Sequence, residues 1–334
     1  MLNLFDLGFG FEFWYLVTIL FVMGACFGSF ANVVVLRAFS GESIVLPPSK
    51  CPFCHNKLKF YHNIPILSYL FLRGKCGFCK EHISIQYPLV ELTYALLFVG
   101  LFLKFGVSIN SIFLFAIVFM GLVLAITDIK EQVIFDNHAY ILAFLGLVYN
   151  FFDIGKSNLG VYDFSIFAYQ FTINKSFVFA IGGLLLGAIL MELLANLGRV
   201  FVGKRAFGEG DSFILGALGA VFMVQNIIPI LVLGCVIQIV LILPMFVKKL
   251  YKNKEYELLW TLGLFVFSVI IFKVLEYFNL LGNLWLFAIC FFVMLFFAFC
   301  SCKKLITSAK NGEGLTYVPF GPPLVLASLV LMFI

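Results

Sequence analysis

Charge is what this chain has least of. Among its 334 residues 12% are charged and 63% are hydrophobic, whereas in a soluble globular domain about a quarter are charged. That excludes a soluble domain with a mere anchor. Polar stretches are equally scarce, and residues 37–87 are the only long one. There is no repeat at a fixed period and no low-complexity tract. No cleavable signal is evident, because the first apolar run is too long and lacks a basic segment before it. No Gly-rich strand–turn–helix fingerprint for a nucleotide-like cofactor is present, nor the inverted repeat that many transporter folds carry.

What is there in abundance is apolar sequence. A run of about 20 apolar residues crosses a bilayer as a helix. Candidate runs occupy 12–36, 88–105, 109–127, 138–152, 177–197, 212–224, 227–247, 258–275, 283–300 and 319–334. Of these 138–152, 212–224 and 319–334 are short. The expected fold class is all-α: a polytopic integral membrane bundle of about 8–10 spans. With residues 1–11 placed outside, all but four of the 22 Lys and Arg (Lys104, Lys156, Lys175 and Lys273) fall on the inner side, as the positive-inside rule requires. The net charge of +5 then reflects topology and calls for no nucleic-acid partner. The expected units are a first span (1–36), a cytoplasmic loop domain (37–87), a membrane core (88–247), an extra pair of segments with their connections (248–318) and a last span (319–334). Residues 153–175 read as a plain outer loop.

The loop domain holds four of the nine cysteines, as Cys51-x-x-Cys54 and Cys76-x-x-Cys79, separated by 21 residues. Four thiolates so spaced make a closed tetrahedral zinc site, and about 50 polar residues cannot build much of a core without one. The alternative is a pair of disulfides, which a reducing cytoplasm disfavours. His55, His62 and His82 could replace a cysteine but read as solvated loop residues. Cys26, Cys235, Cys290, Cys300 and Cys302 lie in or beside apolar runs and read as packing residues.

Two carboxylates stand out. Asp128 ends the apolar run Ile112–Ile126, and Asp211 follows Gly208-Glu209-Gly210. An acid at the edge of a membrane segment needs a partner or a role. Asp211 could be no more than a helix N-cap. Asp128 is placed at a helix C-terminus, where the dipole disfavours negative charge. Both fall on the cytoplasmic side, and two such acids sharing a proton are the equipment for aspartic proteolysis. The helix ends suggest Asp211 as the ionised member that takes a proton from water and Asp128 as the proton holder. Gly208 and Gly210 either clear space for a substrate strand or serve only the turn. Asp136 reads as an N-cap, and Glu91 and Glu192 as acids with buried polar partners.

Several segments in order resemble one known family. They are Gly28-Ser29-Phe30-Ala31-Asn32-Val33 with Arg37, Pro47-Pro48-Ser49-Lys50-Cys51-Pro52-Phe53-Cys54, Asn63-Ile64-Pro65-Ile66-Leu67-Ser68-Tyr69-Leu70, Tyr87-Pro88-Leu89-Val90-Glu91-Leu92, Thr127-Asp128-Ile129, Gly208-Glu209-Gly210-Asp211 and Pro319-Phe320-Gly321-Pro322. Together they resemble the bacterial type IV prepilin peptidases (leader peptidase and N-methyltransferase). The resemblance implies a Gly-x-Gly-Asp-type aspartic peptidase of the bacterial cytoplasmic membrane with Asp128 and Asp211 as its catalytic pair. It also implies cleavage of type IV prepilins or pseudopilins after Gly at the cytoplasmic face, then methylation of the new N-terminus with S-adenosylmethionine. The chain departs from the family pattern at Phe213, where a Lys is usual, at Phe135, where a Pro is usual, and in the extra segments 258–275 and 283–300. The alternatives are a peptidase without methyltransferase activity, a proton-coupled transporter, and a non-catalytic zinc-anchored scaffold.

Overall fold

Within a bilayer each backbone N–H and C=O must be satisfied inside its own segment, so apolar runs fold as helices. The computed structural model describes residues 11–131, 135–155, 159–166, 169–202, 205, 207–252, 256–277, 289, 292–293, 296 and 319–334. Its helices are α1 (Phe11–Ser40), α2 (Leu67–Phe71), α3 (Gln86–Phe105), α4 (Ile109–Glu131), α5 (Asp136–Phe151), α6 (Lys175–Val202), α7 (Glu209–Phe222), α8 (Ile227–Lys252), α9 (Tyr256–Tyr277) and, as α10, Gly321–Phe333. Among the described residues five helical stretches are long and apolar enough to cross a membrane: Glu12–Ser40, Gln86–Phe105, Ile109–Lys130, Lys175–Val200 and Val224–Pro244. The expected segment 283–300 lies outside the described residues apart from isolated positions.

The three short runs are short helices. α7 has 14 residues and α10 has 13, each only about 20 Å long at 1.5 Å per residue, less than the hydrocarbon core. α7 ends where Met223 turns to φ +63°, and a single 3-10 turn then leads into α8.

The segment 153–175 is not a plain loop. It contains an antiparallel hairpin of β1 (Val161–Ile166) and β2 (Tyr169–Asn174), with Val161 opposite Asn174 and Ile166 opposite Tyr169. The alternation of apolar and polar residues in Phe171-Thr172-Ile173-Asn174, with aromatic and β-branched side chains, is the period-two signal that favours strands.

Close helix contacts rest on small residues, the usual device where lipid tails compete for apolar surface. A Cβ on Gly28 in α1 would lie 2.6 Å from Glu91 Cα in α3, and one on Gly183 in α6 would lie 2.2 Å from the Gly219 carbonyl oxygen in α7. α7 is held from its other side by Asn150 of α5, whose Nδ2 donates to the carbonyls of Ala220 (2.9 Å) and Val221 (3.0 Å). That satisfies two carbonyls of the last turn of α7 that lack helical partners. In α3, Tyr94 is fully buried and its hydroxyl donates to the Phe119 carbonyl of α4 at 2.9 Å. α10 packs on α4, α7 and α8, so the last helix closes the bundle over the ends that carry the two aspartates.

Candidate active site

Asp128 lies in the last turn of α4 and is wholly buried. Its Oδ2 accepts the Gly321 N–H at 3.0 Å, and Oδ1 has no hydrogen-bond partner among the described residues. The source of that N–H follows from the sequence of α10. Its first turn reads Gly321-Pro322-Pro323-Leu324, in which the prolines have no N–H and Leu324 donates to the Phe320 carbonyl. Gly321 therefore supplies the one first-turn donor that is free for a carboxylate, at the positive end of a helix.

Asp211 is also buried. It is not the N-cap of α7: that position is Gly208, and Asp211 is the third helical residue. Its Oδ2 accepts the Gly208 N–H at 3.0 Å, the reach-back half of a capping box. Asp136 likewise is no N-cap; it is the first residue of α5 after Phe135. The helix ends stand as expected, with Asp128 in the last turn of α4 and Asp211 in the first turn of α7, and Asp128 in addition accepts an N–H from the N-terminus of α10.

Gly321 ties the two motifs together. A Cβ on it would lie 2.6 Å from Asp128 Oδ2 and 2.7 Å from Ile214 Cδ1, and Ile214 sits one turn beyond Asp211 on the same helix. Beside it Phe320 packs on Phe207, ring centroids 5.0 Å apart. Asp128 and the helix that carries Asp211 thus both meet the first turn of α10. Gly208 has φ −68° and ψ 159°, extended backbone open to any residue, so turn geometry alone does not require glycine there. At the positions that depart from the family pattern, Phe213 packs on Tyr140 (5.8 Å) and Phe135 on Phe39 (5.2 Å).

Glu91 of α3 has the buried partner expected of it. Its Oε2 accepts the Ile66 N–H at 2.7 Å, fixing a β-branched residue at φ +62°, a conformation such residues rarely hold. That bond moors the cysteine loop to the membrane helices. Glu192 has its partner in Arg205.

In the loop the Sγ atoms of Cys51, Cys54, Cys76 and Cys79 all lie within 4.8 Å of one another, and Cys51 and Cys79 are 3.9 Å apart. Sulfurs at the corners of a tetrahedron around zinc, at bonds of about 2.3 Å, would be about 3.8 Å apart. The knuckles fold alike. His55 and Lys80, each following the second cysteine, have φ +54° and +63°, and their N–H groups return toward the first cysteine, with His55 donating to the Cys51 carbonyl and Lys80 to that of Cys76. The backbone N–H groups of Cys79 and Phe78 hold the Cys76 thiol down to about 6. Against the pull of the Glu81 N–H, loss of solvent and then the other three thiols push Cys79 up to about 11. A bound cation would remove that conflict by neutralising four thiolates. All four cysteines are free thiols, no histidine belongs to the cluster, and His62 packs between Tyr61 and Phe78 instead. Cys26 of α1 is exposed rather than packed.

Comparison with known proteins agrees with this geometry. Residues 22–105 match the bacterial peptidase A24 N-terminal domain, and residues 113–243 match the type IV leader peptidase family. The chain belongs to the type IV leader peptidase family. It is similar to the prepilin leader peptidase/N-methyltransferase of Klebsiella pneumoniae, 31% identical over 213 residues that cover 60% of this chain and 82% of that protein. It is also similar to the protein so named in Neisseria gonorrhoeae, 30% identical with 60% and 71% covered. The protein of that name in Myxococcus xanthus is 31% identical, with 67% of this chain and 62% of that protein covered. No solved structure matches the chain. The matched residues include both aspartates and the four cysteines. α9 and α10 lie beyond residue 243, so the Gly321 contact with Asp128 falls outside the family match.

Of two further features of the site, one has only a weak mark in the sequence and the other has none. For the contact of Gly321 with Asp128, the signal is Gly321 followed by two prolines at the head of an apolar run, the mark of a helix start. For the pairing of the Arg205 guanidinium with both Glu192 and Glu209 there is none, since the charge of Arg205 speaks only for topology.

Proposed function

We propose that this chain is a membrane aspartic endopeptidase that removes the leader from type IV prepilins and pseudopilins by cutting after Gly at the cytoplasmic face. Asp128 and Asp211 are its catalytic pair. The observation that carries this is the burial of both carboxylates, with one helix N-terminus bonded to Asp128 and packed on Ile214 of the helix that carries Asp211, in a chain of this family. The carboxylate that is ionised takes a proton from water as the water oxygen bonds to the scissile carbonyl carbon. The protonated partner gives its proton to the carbonyl oxygen. Collapse of the tetrahedral species breaks the C–N bond, with a proton passing to the departing amine. Neither a metal nor a covalent intermediate takes part in these steps. Gly208 and Gly210 leave room for the substrate backbone, a role supported by the unforced φ of Gly208.

The distribution of basic residues supports a multi-pass protein of the bacterial inner membrane with both acids and the cysteine loop facing the cytoplasm. The units 1–36, 37–87, 88–247, 248–318 and 319–334 serve as first span, zinc loop, peptidase core, added segments and closing span. Cys51, Cys54, Cys76 and Cys79 hold a structural zinc ion, which when bound gives the loop a fixed fold. Purified protein is expected to carry one zinc per chain by elemental analysis. Cys76→Ser should lose it and expose residues 41–85 to protease while the membrane helices stay intact; full retention of zinc would remove the four-sulfur site.

The relatives' names include N-methyltransferase, and the second step proposed is methylation of the new N-terminus with S-adenosylmethionine as co-substrate, with no residues assigned to it. The test for both steps is one incubation of purified enzyme with a precursor bearing a short basic leader and a Gly-Phe junction, plus labelled methyl donor. A size shift with label in the product is expected. A shift without label leaves a peptidase only, and no shift overturns the function.

A further inference from the structure

Six residues, 203–208, join α6 to α7, and glycines stand at 203, 208 and 210. Glycine restricts the backbone least of all residues, yet this connection must aim Asp211. Among its described residues, Phe207 packs on Phe320 and Arg205 reaches the carboxylates of α6 and α7. Arg205 donates from Nη2 to Glu192 Oε2 of α6 at 2.5 Å and from Nη1 to Glu209 Oε1 at 2.7 Å. Glu192 is tied on its other oxygen by Asn196 Nδ2 at 3.1 Å. Ser212 Oγ lies 3.5 Å from Glu192 Oε2, at the outer limit of a hydrogen bond. The residues two before and one after Asp211 thus refer back to the same carboxylate on α6.

We infer that Glu192 and Arg205 are positioning residues that fix the start of α7, and with it the direction of the Asp211 carboxylate, against α6. The inference rests on the peptidase reading above. The Arg205 fork acts through its geometry and adds little stability. Arg205 is 19% exposed but Glu192 is 45% and Glu209 77% exposed, and ion pairs in such settings add little stability. The guanidinium is a planar fork that presents two N–H groups in fixed directions. Here each nitrogen faces one carboxylate, so the fork sets the angle between helix α6 and the first residue of α7. The small-residue seam between α6 and α7 fixes how closely the helices approach. The fork fixes where α7 begins.

Displacing a catalytic group by about 1 Å costs on the order of 10²-fold in rate, while substrate binding through the rest of the bundle is untouched. Arg205→Gln and Glu192→Gln are each expected to lower kcat on the precursor about 10- to 100-fold with KM within about threefold. The double variant should be no slower than the worse single, because both remove one connection. Glu209→Gln removes only an exposed carboxylate that no fold depends on, and its kcat should fall in the same direction. Arg205→Lys keeps the charge but not the fork and should restore only part of the rate. Wild-type kcat in Glu209→Gln or in either single variant, additive losses in the double, or a change confined to KM would overturn the inference. Failure of the wild-type protein itself to cut the precursor would instead count against the peptidase reading.

Discussion

Asp128→Asn and Asp211→Asn should each abolish cleavage of a Gly-Phe precursor while leaving the membrane helices folded. Asparagine has the shape of aspartate and keeps an oxygen that can accept the Gly321 or Gly208 N–H, so the local structure survives. What it removes is the proton exchanged with water and with the scissile carbonyl. Losing a general acid or base costs about 10²- to 10⁴-fold, and where two groups act as one unit the double variant is little worse than either single. Initial rates on purified protein in detergent test this. Retention of a tenth of the wild-type rate by either variant would remove that residue from the pair. The folded state should tolerate both changes, since a buried carboxyl trades a costly charge for a neutral amide.

Gly321→Ala is the next largest effect expected, and it touches neither aspartate chemically. The added methyl would lie 2.6 Å from Asp128 Oδ2 and 2.7 Å from Ile214 Cδ1, far inside van der Waals contact. The end of an isoleucine can swing away; a carboxylate held by the Gly321 N–H at 3.0 Å cannot do so without losing that bond. Either α10 lifts off or Asp128 is turned out of place, and a shift of about 1 Å costs on the order of 10²-fold. Cleavage kinetics should therefore show kcat down about 100-fold with the protein still inserted and folded. An unchanged kcat would mean that α10 does not set the position of Asp128.

Much of this arrangement is legible in the order of residues. Membrane helices announce themselves by length and composition, so every apolar run that falls in the described residues is a helix within a few positions of its expected bounds. The four cysteines converge because each C-x-x-C knuckle folds locally and only one long-range pairing is needed. The features that stay hidden are those that depend on distant neighbours. Gly321 meets Asp128 across 193 residues of sequence, and no local pattern at 128 shows that a helix N-terminus arrives there. The fork of Arg205 is similar, because its two carboxylates lie on different helices. The hairpin at 161–174 escapes for a different reason. Its alternation is plain, but a short polar interval between two long membrane runs reads as a connection. Asp211 and Asp136 both look like N-caps in the sequence and neither is one, since the position of a helix boundary is uncertain by a residue or two.

The central claim is that both acids work at one membrane face. Glu209, two residues before Asp211, and Asp136, the first residue of α5 and eight residues after Asp128, are both exposed and can be replaced singly by cysteine. A maleimide that cannot cross the bilayer, applied to inverted and to right-side-out vesicles and read by peptide mass, should modify both positions from the cytoplasmic face alone. Modification of one position from the cytoplasmic side and of the other from outside would contradict a shared site.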